Sequence, residues 1–270
     1  MITIQNDHFS VKKICESGQC FRLREIGEER YALTALGHYM EITQAGNKIT
    51  FHCSQEEFDA VWSRYFDMET DYGKIISSVD SSDAYLCRAV SDGLGILILH
   101  HDLWEMIVSF IISQQNNIKR IRKCVDTLCV RYGEKRMTKD GTSYYDFPTA
   151  EALASAAVDD LRSCNLGYRS RYIHDTSVSV AHGTVNLEAV KHMEYEAARA
   201  ELMKLCGVGV KVADCICLFA LHQTDAFPKD THIHRVLAER YPEGFPFEKY
   251  KGYAGILQQY IFYYDLRGGV

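Results

Sequence analysis

The chain has 270 residues, 47% of them hydrophobic and 24% charged, with a formal net charge of −6 at pH 7. That length and apolar content can bury one large core or two smaller ones sharing an interface, which excludes a disordered chain or a minimal disulfide scaffold. The acidic balance argues mildly against a polyanionic partner, although locally clustered cations count for more than the sum.

The N-terminus, Met1-Ile2-Thr3-Ile4-Gln5-Asn6, offers neither a basic n-region nor an apolar h-region, so a cytoplasmic location is expected. β-branched and aromatic runs at residues 1–4, 20–24, 30–36, 38–43 and 48–53 predict five strands, with Ala45-Gly46-Asn47 as the turn of the last hairpin. Ser54 followed by Glu57 has the form of a capping box, after which Phe58, Val61, Trp62 and Tyr65 recur at helical spacing. Strands give way to helices there. The fold class predicted is α+β: an antiparallel β domain with flanking helices over residues 1–80, then a mainly helical domain over 81–270.

Within the second part, a period near 3.6 predicts helices over residues 103–113, 118–132, 150–157, 195–205, 210–221, 231–240 and 250–266. Residues 133–148 are polar, glycine-bearing and aperiodic, which reads as a surface loop. The apolar stretches 94–99 and 103–112 are separated by His100, His101 and Asp102, and neither reaches the roughly 18–20 residues of a bilayer span, so no membrane partner is expected. The ten cysteines lie among apolar neighbours, as buried free thiols do, and the spacing of Cys215 and Cys217 fits no zinc pattern. No metal is expected. Basic residues gather at Lys119, Arg120, Arg122 and Lys123 and again at Arg169 and Arg171; taken alone, each cluster is an ordinary solvated helix face.

The most informative segment is Leu202-Met203-Lys204-Leu205-Cys206-Gly207-Val208-Gly209-Val210-Lys211-Val212-Ala213-Asp214. Gly207 can take the left-handed cap that ends one helix, and Gly209 leaves bare amides at the start of the next, where the helix dipole favours an anion. An ordinary αα-hairpin would share these features. Lys211 is more specific, because the helix it begins is apolar nearly all round, through Val212, Ala213, Cys215, Ile216 and Leu218. Burial and the positive dipole end both favour a neutral, nucleophilic amine. With an ordinary lysine fewer than about one side chain in a thousand is neutral at pH 7. Nineteen residues on, Phe227-Pro228-Lys229-Asp230-Thr231-His232 precedes another amphipathic helix, with Asp230 at its N-cap. A rigid carboxylate close to a reactive amine can steer its protons and stabilise a sugar cation.

Leu-x-Gly-Val-Gly-x-Lys-x-Ala followed by Pro-x-Asp resembles the helix-hairpin-helix, Gly/Pro-Asp (HhH-GPD) superfamily of DNA glycosylases, and the remainder looks like its 8-oxoguanine DNA glycosylase branch. The likeness runs from Ser17-Gly18-Gln19-Cys20-Phe21 to Asp265-Leu266-Arg267. It implies a bifunctional glycosylase/AP lyase acting on 8-oxoguanine, opposite cytosine, in double-stranded DNA during base excision repair, without a cofactor. Lys211 would attack the sugar C1′ and form a Schiff base, with Asp230 assisting. Gly18, Cys215, Gln258 and Phe262 would hold the base, the last two sharing a helix face by their i,i+4 spacing. Gly207, Val208, Gly209 and His232 would meet the DNA backbone. Gln115, Asn116 and Asn117 would plug the vacated stack, with Tyr168 as a wedge and Arg120 and Arg169 on the orphaned cytosine. The chain departs from the family pattern in having Cys206 where a proline precedes Gly-Val-Gly and glutamine in the asparagine run. No cysteine quartet follows the last predicted helix, unlike the iron–sulfur endonuclease III branch. A glycosylase for another damaged purine and a noncatalytic DNA-binding protein are the alternatives; a monomer from a prokaryote, associated with the nucleoid, is expected.

Overall fold

The computed structural model describes residues 1–269. The chain opens with β1 (Ile2–Gln5) and α1 (Val11–Glu16), then forms β2 (Leu23–Gly27), β3 (Arg30–Ala35), β4 (His38–Ala45) and β5 (Lys48–Phe51). These make one antiparallel sheet of order β1-β5-β4-β3-β2. All five predicted strands have a counterpart, the second displaced to residues 23–27 from the expected 20–24, and Gly46, with φ +61°, turns the β4–β5 hairpin. Leu33, Met40, Ile42, Ile49 and Phe51 point into a core shared with Trp62, Tyr65 and Phe66. The Ser54 hydroxyl accepts from the Glu57 amide at 3.1 Å, but the Glu57 carboxylate takes the Trp62 indole N–H at 3.0 Å instead of returning to the cap. The box is therefore half made. From it α2 (Gln55–Glu57) passes through a π-helical turn, Phe58–Trp62, into α3 (Ser63–Tyr65).

The helical part comprises α4 (Tyr72–Ser77), α5 (Ala84–Gly93), α6 (Leu103–Ser113) and α7 (Ile118–Tyr132), then α8 (Ala150–Ala154), α9 (Val158–Leu161) and α10 (Arg169–Ala181). After them come α11 (Leu187–Val190), α12 (Tyr195–Leu202), α13 (Val210–Phe219), α14 (Thr231–Arg240) and α15 (Ala254–Leu266). Three predicted helices, α6, α7 and α14, have the expected bounds, and each starts on a side-chain cap: Asp102, Asn117 and Asp230 accept the amides of Glu105, Arg120 and Ile233. The expected loop over 133–148 is not irregular throughout. It carries a two-stranded ribbon, β6 (Lys135–Met137) with β7 (Ser143–Tyr145), too short and too polar for its alternation to register. The C-terminal helix starts four residues later than expected, because residues 250–253 form turns around Gly252 at φ +91°.

Two packings place the site. The nearly fully buried α6 lies against α13, with the Phe110 and Phe219 rings stacked at 5.6 Å. Helix α15 packs on α5 and is tied to the loop before α14 by Gly255 N–H donating to Thr224 O at 2.7 Å. Among the described residues no helix is long and apolar enough to cross a membrane. All ten cysteines are free; Cys53, Cys87 and Cys206 are half-buried and the others buried.

Candidate active site

The turn between α12 and α13 has the backbone its glycines predict. Gly207 has φ +80°, and a side chain there would meet the Tyr172 ring at 2.7 Å, so both conformation and space demand glycine. The following Val208 is buried, and Gly209 is the N-cap of α13, in extended conformation and with no side chain capping the helix. Whereas α6, α7 and α14 satisfy their first amides with Asp or Asn, α13 leaves this duty to whatever binds there.

In the first turn of α13, Lys211 is half-buried, with Nζ 5.5 Å from the centre of the Phe110 ring. Asp230 caps α14, its Oδ1 accepting from Ile233 N at 2.9 Å, which fixes the carboxylate. Both line a cavity of about 160 Å³. Its walls include Gly18, Cys215, Gln258 and Phe262, so the residues expected at the damaged base are gathered around the expected nucleophile. The volume is several times the roughly 30 Å³ of a water molecule, enough for a bicyclic ring in a site that opens to solvent.

Each wall is rigid. Gln258 is 4% exposed; its Nε2 donates to Pro228 O at 2.9 Å while its buried Oε1 has no partner. An orphan acceptor of this kind costs roughly 1–3 kcal/mol unless a ligand supplies the donor. Phe262, one turn on, meets the His232 ring edge to face at 5.8 Å. His232, expected against the DNA backbone, is held by Nδ1 on Asp265 Oδ2 at 2.7 Å, and Arg235 donates to both oxygens of the same carboxylate. Burial pushes the Cys215 thiol up, against the pull of Lys211, which keeps that wall a neutral thiol.

Gly18 stands at φ +78°, and an added Cβ would lie 3.4 Å from Phe262 and 3.5 Å from Ile118, ordinary contact distances. Its corner is clamped by groups the sequence reading missed. Gln259 Nε2 donates to Ser17 O at 2.8 Å, and Gln19 donates to Leu97 O while accepting from Leu99 N. Gly18→Ala is therefore expected to fold, at a cost of about 1–2 kcal/mol for a left-handed alanine. It is also expected to slow base excision by about tenfold, a loss of roughly 1.4 kcal/mol of transition-state binding, as the methyl group intrudes on the base. Single-turnover excision at wild-type rate would remove Gly18 from the site.

The expected plug is the turn between α6 and α7. Gln115 adopts φ +47° and is exposed, Asn116 bonds Ile112 O at 3.0 Å, and Asn117 caps α7. Tyr168 is 47% exposed beside it. Arg120 is also exposed, and its guanidinium donates to Asn165 O at 3.4 Å. Arg169, expected on the orphaned cytosine, is 4% exposed, and its guanidinium donates to the carbonyls of Gln114, Gln115 and Leu166. Gln114, the first residue of the predicted plug turn, carries the connection onward by donating to Gly207 O at 2.8 Å. The plug and the hairpin are thus one hydrogen-bonded unit. Arg169→Gln should lower unfolding stability by about 2 kcal/mol, since it strands buried carbonyls. Arg120→Gln should leave the melting temperature unchanged and erode opposite-base preference; equal melting losses in both variants would contradict this division of roles.

Comparison with known families places the site in context. The 8-oxoguanine DNA glycosylase N-terminal domain model matches residues 1–107, and the model for the HhH-GPD superfamily base excision DNA repair protein matches residues 108–243. The N-glycosylase/DNA lyase of Saccharomyces cerevisiae is 39% identical over 158 residues, 54% of this chain but only 42% of that protein's length. The N-glycosylase/DNA lyase OGG1 of Arabidopsis thaliana is 29% identical over 93% of this chain and 75% of that protein. Among solved structures, the Clostridium acetobutylicum 8-oxoguanine glycosylase/lyase, in complex with dsDNA containing cytosine opposite to 8-oxoG, superposes with TM-score 0.91 at 34% identity, covering 100% of this chain and 99% of that one.

Proposed function

The chain belongs to the HhH-GPD superfamily of base excision DNA repair proteins, in its 8-oxoguanine glycosylase branch, and from that premise we propose that it excises 8-oxoguanine opposite cytosine from duplex DNA and then cleaves the strand. The observation that carries the reading is the meeting of Lys211, Asp230, Gly18 and the unpartnered Gln258 carbonyl in one cavity.

The Lys211 amine attacks C1′ as the C1′–N9 bond breaks, so the base departs with the electron pair of that bond and takes up a proton. Asp230 stabilises the positive charge that develops on the sugar and accepts the proton lost from the amine. Ring opening gives an imine between Nζ and C1′. Loss of a C2′ proton then expels the 3′ phosphate, with cleavage of the C3′–O bond. Hydrolysis of the imine frees Lys211. The base is discriminated by its edges: the Gly18 carbonyl accepts the N7–H that guanine lacks, and Gln258 Oε1 accepts from the opposite edge. Phe262 and the Cys215 thiol cover its two faces. Removing a base from the stack costs a few kcal/mol, which the Gln115–Asn117 turn and Tyr168 offset by filling the gap. The open amides of α13 hold a backbone phosphate, and His232 orders Phe262 at the pocket mouth.

We take residues 1–80 as the β domain and 81–270 as the helical glycosylase domain, a division supported by the packing of α5 on α15. We further propose that the protein works as a monomer on the nucleoid of a prokaryotic cell, where ten free thiols suit a reducing compartment. The substrate is tested by single-turnover excision on duplexes carrying 8-oxoguanine opposite each base, and carrying an alkylated purine. Release of 8-oxoguanine opposite cytosine should be fastest, by at least about tenfold, equivalent to roughly 1.4 kcal/mol. Faster release of the alkylated purine would reassign the pocket.

A further inference from the structure

At the end of α13 opposite Lys211, Asp67, His100 and His222 converge from three separate turns. His100 Nε2 stands 3.4 Å from Asp67 Oδ1, and His222 Nε2 stands 3.2 Å from Asp67 Oδ2. One donor atom from each of the three residues lies within 4.8 Å of the other two. The imidazole rings are parallel within 9°, with centroids 3.7 Å apart. This convergence is imposed on the backbone: Asp67 and His222 have φ of +50° and +53°, left-handed conformations that strain any residue with a Cβ. Strain of this type persists where the surroundings over-determine it, ligand clamps among them.

The carboxylate has outer support as well. Thr70 Oγ1 donates to Asp67 Oδ1 at 2.9 Å and Tyr72 OH to Oδ2 at 2.7 Å, an arrangement that orients metal-ligating carboxylates. The histidine side chains are 24% and 18% exposed, so an ion can reach them from solvent.

We propose that Asp67, His100 and His222 bind a divalent first-row transition metal of the Zn2+ or Co2+ class, with solvent in the fourth position. Bonds of about 2.0–2.1 Å set neighbouring ligands of a tetrahedron about 3.3 Å apart; each imidazole stands near that distance from one oxygen of Asp67, and the three donor atoms, within 4.8 Å of one another, close to that spacing as the side chains turn onto the ion. Two imidazoles and one carboxylate suit such ions better than Ca2+ or Mg2+, which take oxygen donors. Binding requires both rings to rotate out of their parallel stack, so that their in-plane lone pairs converge on the ion. The C-terminal end of α13 adds a favourable negative dipole. With ten residues at about 1.5 Å rise, α13 keeps the ion some 15 Å from the sugar chemistry, so it acts as a clamp. The clamp joins segments already linked by His101 N to Phe219 O at 3.0 Å and His100 N to Tyr65 O at 2.9 Å. The sequence expectation of no metal rested on cysteine spacing, and ligands as far apart as positions 67, 100 and 222 form no readable motif.

The test is titration of untagged, chelator-treated full-length protein with Co2+ and with Zn2+. The expected result is one ion per chain, visible absorption bands of tetrahedral Co2+ that Zn2+ displaces, and a raised melting temperature. His100→Gln and His222→Gln should each weaken binding by at least about tenfold while excision of 8-oxoguanine is retained. Should either variant misfold, Asp67→Asn keeps the side-chain shape and must show the same loss. Absence of saturable binding below about 1 mM overturns the proposal, as do Co2+ bands of thiolate type that persist in all three variants.

Discussion

Lys211→Gln should abolish strand cleavage and lower base excision by about four orders of magnitude or more, the scale on which covalent nucleophiles act when removed. Glutamine fits where lysine did: it propagates a helix equally well, and the side chain is half-buried, not sealed in the core. The variant should therefore melt within about 1 kcal/mol of the wild type and still bind damaged duplex, since the hairpin amides and the plug are untouched. Gel-based excision on 8-oxoguanine opposite cytosine, run beside a binding isotherm, separates these outcomes. Retained binding with lost chemistry is expected. Retained chemistry would transfer the nucleophilic role to another group in the cavity.

Asp230→Asn should slow both excision and strand cleavage by about 10²–10³-fold, the usual effect of removing one preorganised electrostatic partner of a transition state. This substitution isolates charge from structure. Asparagine caps helices about as well as aspartate, so the bond from Ile233 N at 2.9 Å survives and stability should shift by less than about 0.5 kcal/mol. Asp230→Ala removes the cap too and should cost about 1 kcal/mol in addition to the rate loss. A fully active, normally stable Asp230→Asn protein would reduce Asp230 to a structural cap.

The sequence disclosed most of the fold wherever a local physical rule was strict. β-branched and aromatic runs located the five strands of the large sheet, and Asp230 was legible as the cap of α14; α6 and α7 start on caps of the same kind, Asp102 and Asn117. Local rules failed where polar residues are buried. Helix α10 carries Ser170, Thr176 and Ser177 on its buried side, satisfied in part by bonds from Thr176 to Cys206 O and from Ser177 to Ile173 O, so its apolar stripe is broken and its bounds were not read. The β6–β7 ribbon failed for the converse reason, having three-residue strands with little to bury.

The candidate site divides in the same way. Lys211 and Gly207 sit in one short segment whose glycines and apolar helix announce it, and Asp230 follows as a recognisable cap. Gln258, Phe262 and Gly18 came from family likeness, because nothing local marks them. Gln259 escaped both routes, and Gln114 was legible as part of the plug turn but not for its bond to Gly207. Their work is done across the fold, on Ser17 O from 242 residues away and on Gly207 O from 93 residues away, and a glutamine in a helix or turn carries no sign of such a partner.

The most direct measurement is borohydride reduction of the wild-type protein during turnover of a duplex with 8-oxoguanine opposite cytosine, followed by peptide mapping of the product. An adduct in which Lys211 Nζ is bonded to C1′ is the expected result. Base release without any trapped protein, or an adduct mapped to another amine, would contradict the covalent mechanism.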